Sequence, residues 1–138
     1  MRPVQQTLFY TESKNRGDCL RACVASLLEL RIDDVPNFVE TEDYQISMDT
    51  FLGKYGFQSL SISIRDLDDF RQENAWCPSG YHMIDGISSR GVRHAVVGYQ
   101  GKIVFDPHPD NDGLIRIEGY TLLVATLTEL DKDQPDHK

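Results

Sequence analysis

Gly17-Asp18-Cys19-Leu20-Arg21-Ala22-Cys23-Val24-Ala25-Ser26-Leu27-Leu28 and His94-Ala95-Val96-Val97-Gly98-Tyr99-Gln100-Gly101-Lys102-Ile103-Val104-Phe105-Asp106-Pro107 decide how this chain folds. In the first stretch apolar residues recur at Leu20, Cys23, Val24, Leu27, Leu28 and Leu30, a helical spacing that predicts an amphipathic helix opening at Cys19. Asp18 belongs to the residue types that cap such an opening, and Pro36 ends any continuation. The second stretch predicts a β-hairpin, with strands 93–99 and 102–106 joined at Gln100-Gly101.

Outward from these two blocks the pattern is mixed. Residues 3–10 read as extended and 11–17 as a polar loop. A short helix is expected over 47–55, with Ser47 as its cap and Gly56 as its stop. Residues 57–64 alternate, with Leu60, Ile62 and Ile64 on the face expected to be buried and Ser59, Ser61 and Ser63 on the other. A helix over 66–73 is expected behind Asp66, then strands over 81–87 and 120–127. Helices come first and most strands last, so the fold class expected is α+β, a helix packed on a mostly antiparallel sheet. Residues 1–127 make one domain, and the charged tail 128–138 is expected to be disordered.

With a net charge of −8, the chain is a poor match for a nucleic-acid backbone or an anionic membrane, while a basic peptide substrate is not excluded. No apolar run is long enough to span a bilayer, and the first residues do not resemble a secretion signal, so a cytoplasmic protein is expected. Three cysteines make no disulfide framework and fit reduced thiols. No phosphate-binding loop or dinucleotide fingerprint is present, and no cofactor is expected. The sequence is silent on oligomeric state.

A thiol attacks as thiolate, and at an ordinary pKa of about 8.5 it is mostly protonated at neutral pH. A helix N-terminus and a neighbouring imidazolium both lower that value. Cys19 stands at the expected helix start, whereas Cys23 falls one turn inside, on the buried stripe. Position therefore selects Cys19 as nucleophile, with Cys23 a small apolar core residue. His94, opening an apolar strand, can project from the sheet rim as a base. If Gln100-Gly101 is the turn, Asp106 lies across the hairpin from His94 to within about a residue of register. A carboxylate there would fix the imidazole tautomer and stabilise its charged form.

These blocks, Asp18-Cys19 with Ala22-Cys23, then His94-Ala95-Val96-Val97, then Asp106-Pro107, resemble the peptidase domains that process bacteriocin leader peptides. Those domains belong to the papain-like cysteine peptidase superfamily. The chain is also similar to small papain-like proteins of bacteria and their phages, in Ser26-Leu27-Leu28-Glu29-Leu30, Val35-Pro36 and Asp106-Pro107-His108-Pro109. The resemblance spans roughly residues 5–110, carried by short blocks. It implies a papain-like fold, a Cys19-His94-Asp106 triad, and hydrolysis of a peptide or amide bond in a peptide or protein substrate. It also implies a glutamine whose side-chain amide helps form the oxyanion hole, with Gln6 the candidate, Gln5 the fallback and Asn15 a third possibility. Two departures stand out: the glutamine is farther from the cysteine than in the bacteriocin-type pattern, and Leu20 stands where those peptidases usually carry glycine.

Two rivals accompany this reading. His82, His94, Asp106, His108 and Asp110 could supply metal ligands, although none of their spacings is a zinc motif. Alternatively, a catalytically inactive papain-like module would bind a peptide or host protein without cutting it. In the enzyme reading Tyr44, Trp76, Tyr81 and His82 are candidate groove residues, Cys77 is a packed loop thiol, and Gly80 and Gly91 serve turns more readily than gates.

Overall fold

Helix α1 (Cys19–Leu28) turns a continuous stripe, Ala22 to Ser26, into the interior. The computed structural model that defines it describes residues 1–10, 17–64 and 77–127. The helix closes on Glu29, which takes a left-handed φ of 57° and donates its N–H to the Ala25 and Ser26 carbonyls. At the other end the expected cap needs correction. Asp18 makes no side-chain capping bond. Its carboxylate instead accepts from Thr7 and Leu8 of the N-terminal segment, donors that compete with the helix start for it.

A second helix, α2 (Tyr44–Gly53), starts earlier than the sequence suggested. Its cap is Asp43, whose carboxylate accepts from the N–H groups of Gln45 and Ile46, and Ser47 lies inside the first turn. Met48, Phe51 and Leu52 face the core.

Five strands form one antiparallel sheet in the order β1-β5-β2-β3-β4. They are β1 (Phe57–Ser63), β2 (Tyr81–Ile87), β3 (Arg93–Tyr99), β4 (Lys102–Phe105) and β5 (Arg116–Ala125). The α+β class is therefore as expected. The β3–β4 turn takes φ of 53° at Gln100 and 81° at Gly101. Two positive φ values are what a two-residue hairpin turn matching the strand twist requires. The last strand begins at Arg116 rather than Tyr120, pairing with Ile87 beyond a bulge at Asp85/Gly86. Arg116, Glu118 and Gly119 break the apolar alternation there, and Arg116 pairs with Glu118 at 3.0 Å.

Strand alternation gives the sheet two apolar faces. Met83, Ala95 and Val97 pack with Cys23, Val24, Phe38, Phe51 and Leu52 on the helix side. Ile84, Val96 and Tyr120 form a second cluster on the opposite face. Leu60 pairs with Leu122 on that second face, yet at the β1 edge it is 48% exposed rather than buried as expected. The serine face of β1 meets α2 instead: Ser59 donates to Asp49 at 2.7 Å and accepts from Gln45 at 2.6 Å. The helix expected over 66–73 and the tail 128–138 lie outside the described residues. Among the described residues no helix is long and apolar enough to cross a membrane.

The α2 cap is directly testable. Asp43→Ala should cost about 1 kcal/mol in chemical denaturation, whereas Ser47→Ala should stay within about 0.5 kcal/mol. The reverse ranking would return the helix start to Ser47.

Candidate active site

The N-terminal segment reaches the start of α1 through one buried carboxylate. Asp18 is fully buried. It accepts from the Thr7 N–H and Leu8 N–H at 2.9 Å each and from the Thr7 hydroxyl at 2.8 Å. Arg21 stands 3.5 Å from it and donates to the Val35 carbonyl at 2.6 Å. Gly17 lets the segments approach: its φ is 78°, and a Cβ there would lie 3.3 Å from the Leu8 carbonyl oxygen and the Tyr10 nitrogen. The Gln6 N–H is held by the Pro107 carbonyl at 3.0 Å. The distance in sequence between Gln6 and Cys19 is thereby closed in space.

His94 and Asp106 come from the β3–β4 hairpin. Asp106 stands just past the end of β4, and its Oδ1 is 2.6 Å from His94 Nε2, with both side chains nearly sealed from solvent. The carboxylate is held by more than the histidine. It accepts from the His108 N–H at 2.9 Å and the Gly113 N–H at 2.8 Å, so the loop after Pro107 wraps around it. Burial alone would raise the Asp106 pKa, but the bonds from His94, His108 and Gly113 outweigh it and hold it below the usual value.

For His94, burial works against the charged ring. Bonds and charges from Asp106 and Cys19 overcome that burial and push the pKa up to about 9. Nε2 is committed to Asp106, and the Cys19 thiol is the other side chain that acts on the ring. His108 packs edge-on against His94, with ring centroids 6.3 Å apart, and Phe9 against His108 at 5.1 Å. One helical turn further in, Cys23 is fully buried. Burial first, then the charges of Cys19, Asp85 and Asp106, push its thiol well above the ordinary value.

Two depressions share Cys19 and His94. A groove of about 970 Å³ runs between the helices and the sheet, walled by Leu20, Tyr44 and Met48 on one side and Asp85, Ala95 and Glu118 on the other. A smaller cleft of about 310 Å³ is lined by Gln6, Phe9, Tyr10, Arg90, Arg93 and His108, together with Cys19 and His94. Gln6 is buried, and its amide donates to the Leu8 carbonyl at 2.8 Å while its side-chain oxygen has no partner. Gln5 is exposed, and Asn15 lies outside the described residues.

Of the expected groove residues, Tyr44 lines the groove and Trp76 lies outside the described residues. Tyr81 stacks on Tyr99 at 4.7 Å, away from the groove. His82 shares the far face with Ile84, packs edge-on against Tyr120 and has its Nδ1 at the Gly80 carbonyl. Strand alternation therefore removes His82 from both the groove and the proposed metal set. Among the described residues no group of three or more His, Cys, Asp or Glu side chains converges to hold a metal. Gly80 and Gly91 take positive φ, as turn residues do. The role of Asp18 in holding the N-terminal segment went unread in the sequence, since a carboxylate that binds a distant segment carries no local spacing. Comparison with protein-family models, curated proteins and solved structures finds no match.

The His94–Asp106 pair has a defined pH signature. The ordinary histidine value is 6.5 and the folded value about 9. A raised histidine binds its proton more tightly in the folded state, so its stabilisation is full below 6.5 and is lost as pH rises toward 9. The depressed Asp106 adds stabilisation present above 3.8 and lost as pH falls through its folded value. An NMR titration should find the His94 ring protonated through neutral pH with a midpoint near 9, and Asp106→Asn should bring it down. A wild-type midpoint at or below the ordinary value would refute the pairing.

Proposed function

We propose that this protein is a papain-like cysteine hydrolase that cleaves a peptide or amide bond with Cys19, His94 and Asp106. The observation that carries the reading is one imidazole held at 2.6 Å by Asp106 on Nε2 while it faces the Cys19 thiol at the start of α1. The papain-like assignment rests on the nucleophile helix packing against an antiparallel sheet that bears the histidine and, at its edge, the acid.

In this mechanism the Cys19 thiolate attacks the substrate carbonyl and an S–C bond forms. Negative charge develops on the carbonyl oxygen. The Cys19 backbone N–H, one of the N–H groups that a helix start leaves without an internal partner, stabilises it. A primary amide carries two N–H groups. Leu8 holds one of those on Gln6 and fixes its direction, and the other serves the oxyanion. His94 gives its proton to the leaving amine as the C–N bond breaks. A water molecule, deprotonated by neutral His94, then attacks the thioester, releases the acid and returns the thiol. Leu20, in place of a glycine, becomes part of the groove wall.

Thiol alkylation followed by mass spectrometry separates this enzyme from a binding module. Cys77 is exposed, Cys19 half-buried and Cys23 buried, so exposure alone would make Cys77 react fastest. The hydrolase reading expects Cys19 to lead, and to lose that lead in His94→Ala. A slow or ordinary Cys19 would favour an inactive module.

Gln6 gives an independent test. Alkylation builds no oxyanion, so Gln6→Ala should leave the Cys19 alkylation rate in place. On any peptide substrate found by library screening, kcat should fall by about 10²–10³-fold. Unchanged kcat would remove Gln6 from the site.

A further inference from the structure

Asp85 stands on β2, with Ala95 beside it on β3 and Gly119 beside it on β5. Neither neighbour has a side chain long enough to cover a carboxylate, so the wall of the large groove is open at this point. The Thr121 hydroxyl donates to Oδ2 at 2.7 Å and fixes the carboxylate plane, leaving Oδ1 for a ligand. Asp85 is close enough to act electrostatically on Cys23, one turn along α1 from Cys19. Asp85 and Cys19 line the same groove.

Charge is unbalanced there. Of the cations lining the groove, His94 is bound to Asp106 at 2.6 Å, and Arg93 is bound to Glu118 at 3.1 Å with its side chain largely in solvent. Among the described residues Asp85 has no ion pair of its own, although the Arg93 charge reaches it. Glu42 and Asp43 add further negative charge along the same groove. Burial raises the Asp85 pKa against the Thr121 bond and the Arg93 charge, the mark of a carboxylate short of a counter-ion.

We infer that Asp85 is the recognition point for a cationic side chain of the substrate, lysine or arginine, bound in the large groove beside the scissile carbonyl. This rests on the hydrolase reading above. A cation entering the groove would gain a charge-assisted bond to Oδ1 out of bulk water. An anionic side chain would meet uncompensated repulsion.

The test uses Cys19 as its own reporter. Purified protein is treated with bromoacetamides whose pentyl tails end in an ammonium, a methyl or a carboxylate, and Cys19 alkylation rates are read by mass spectrometry. The wild-type ammonium-to-methyl rate ratio should be about tenfold or more, with the carboxylate reagent slowest. In Asp85→Asn, which keeps an acceptor for Thr121, the ratio should fall to near one, and Asp85→Ala should do the same. Glu118→Gln should retain most of the preference. No wild-type preference, a preference that survives in both Asp85 variants, or one abolished by Glu118→Gln alone would overturn the inference while leaving the nucleophile intact. A Cys19 inert to all three reagents would overturn the hydrolase reading and this inference with it.

Discussion

A carboxylate sealed from water dictates its surroundings, and Asp18 does this here. Burying an unpaired charge costs several kcal/mol, so every donor within reach is drawn in. Thr7 supplies two donors and Leu8 a third, with Arg21 alongside. Arg21 is in turn fastened to Val35, so one network joins the N-terminal segment, the start of α1 and the segment after it. Gln6 stands beside the Cys19 cleft because the residues next to it are held by this charge. The constraint also fixes the first turn of α1, whose Cys19 lines the same cleft. Removing the carboxylate would release three donors at once, a larger disturbance than loss of any single surface contact.

Much of this was legible in the order of residues. Helical spacing located α1, and the hairpin turn and the Cys, His and Asp order were readable because each rests on a local rule. What escaped depends on which surfaces meet. Capping propensity named Asp18 correctly as a hydrogen-bonding residue but not its partners, since Thr7 and Leu8 are distant in sequence. Asp43 and Ser47 are both good caps, and only the bonds to Gln45 and Ile46 decide between them. Alternation in β1 separates two faces without saying which one a helix will cover. Both faces of this sheet carry apolar clusters, but Leu60 sits on the edge strand where its face is left largely uncovered.

The site owes its shape to the meeting of the same elements. Cys19 and His94 sit where the large groove and the smaller cleft join, so each cavity has one wall made by the reacting groups. The smaller cleft carries Arg90 and His108, Arg93 lines both, and Asp85, Glu42 and Glu118 line the larger one. On the hydrolase reading, opposite charge on the two sides of one thiol would give an extended substrate a preferred direction, because reversing it would place each charged group against its like.

On the hydrolase reading, the elevated His94 value has a consequence for the second half of the cycle. Two of the influences that raise it, a hydrogen bond and a charge, come from Cys19. Both disappear when the sulfur is acylated, because a thioester is neutral and accepts poorly. Burial continues to disfavour the imidazolium, and only Asp106 still supports it. The His94 pKa therefore falls on acylation. In the free enzyme the ring holds a proton ready for the leaving group, and in the acyl-enzyme it loses that proton easily and can take one from water. The same burial that opposes charge on His94 at the outset is what makes it a base when a base is needed.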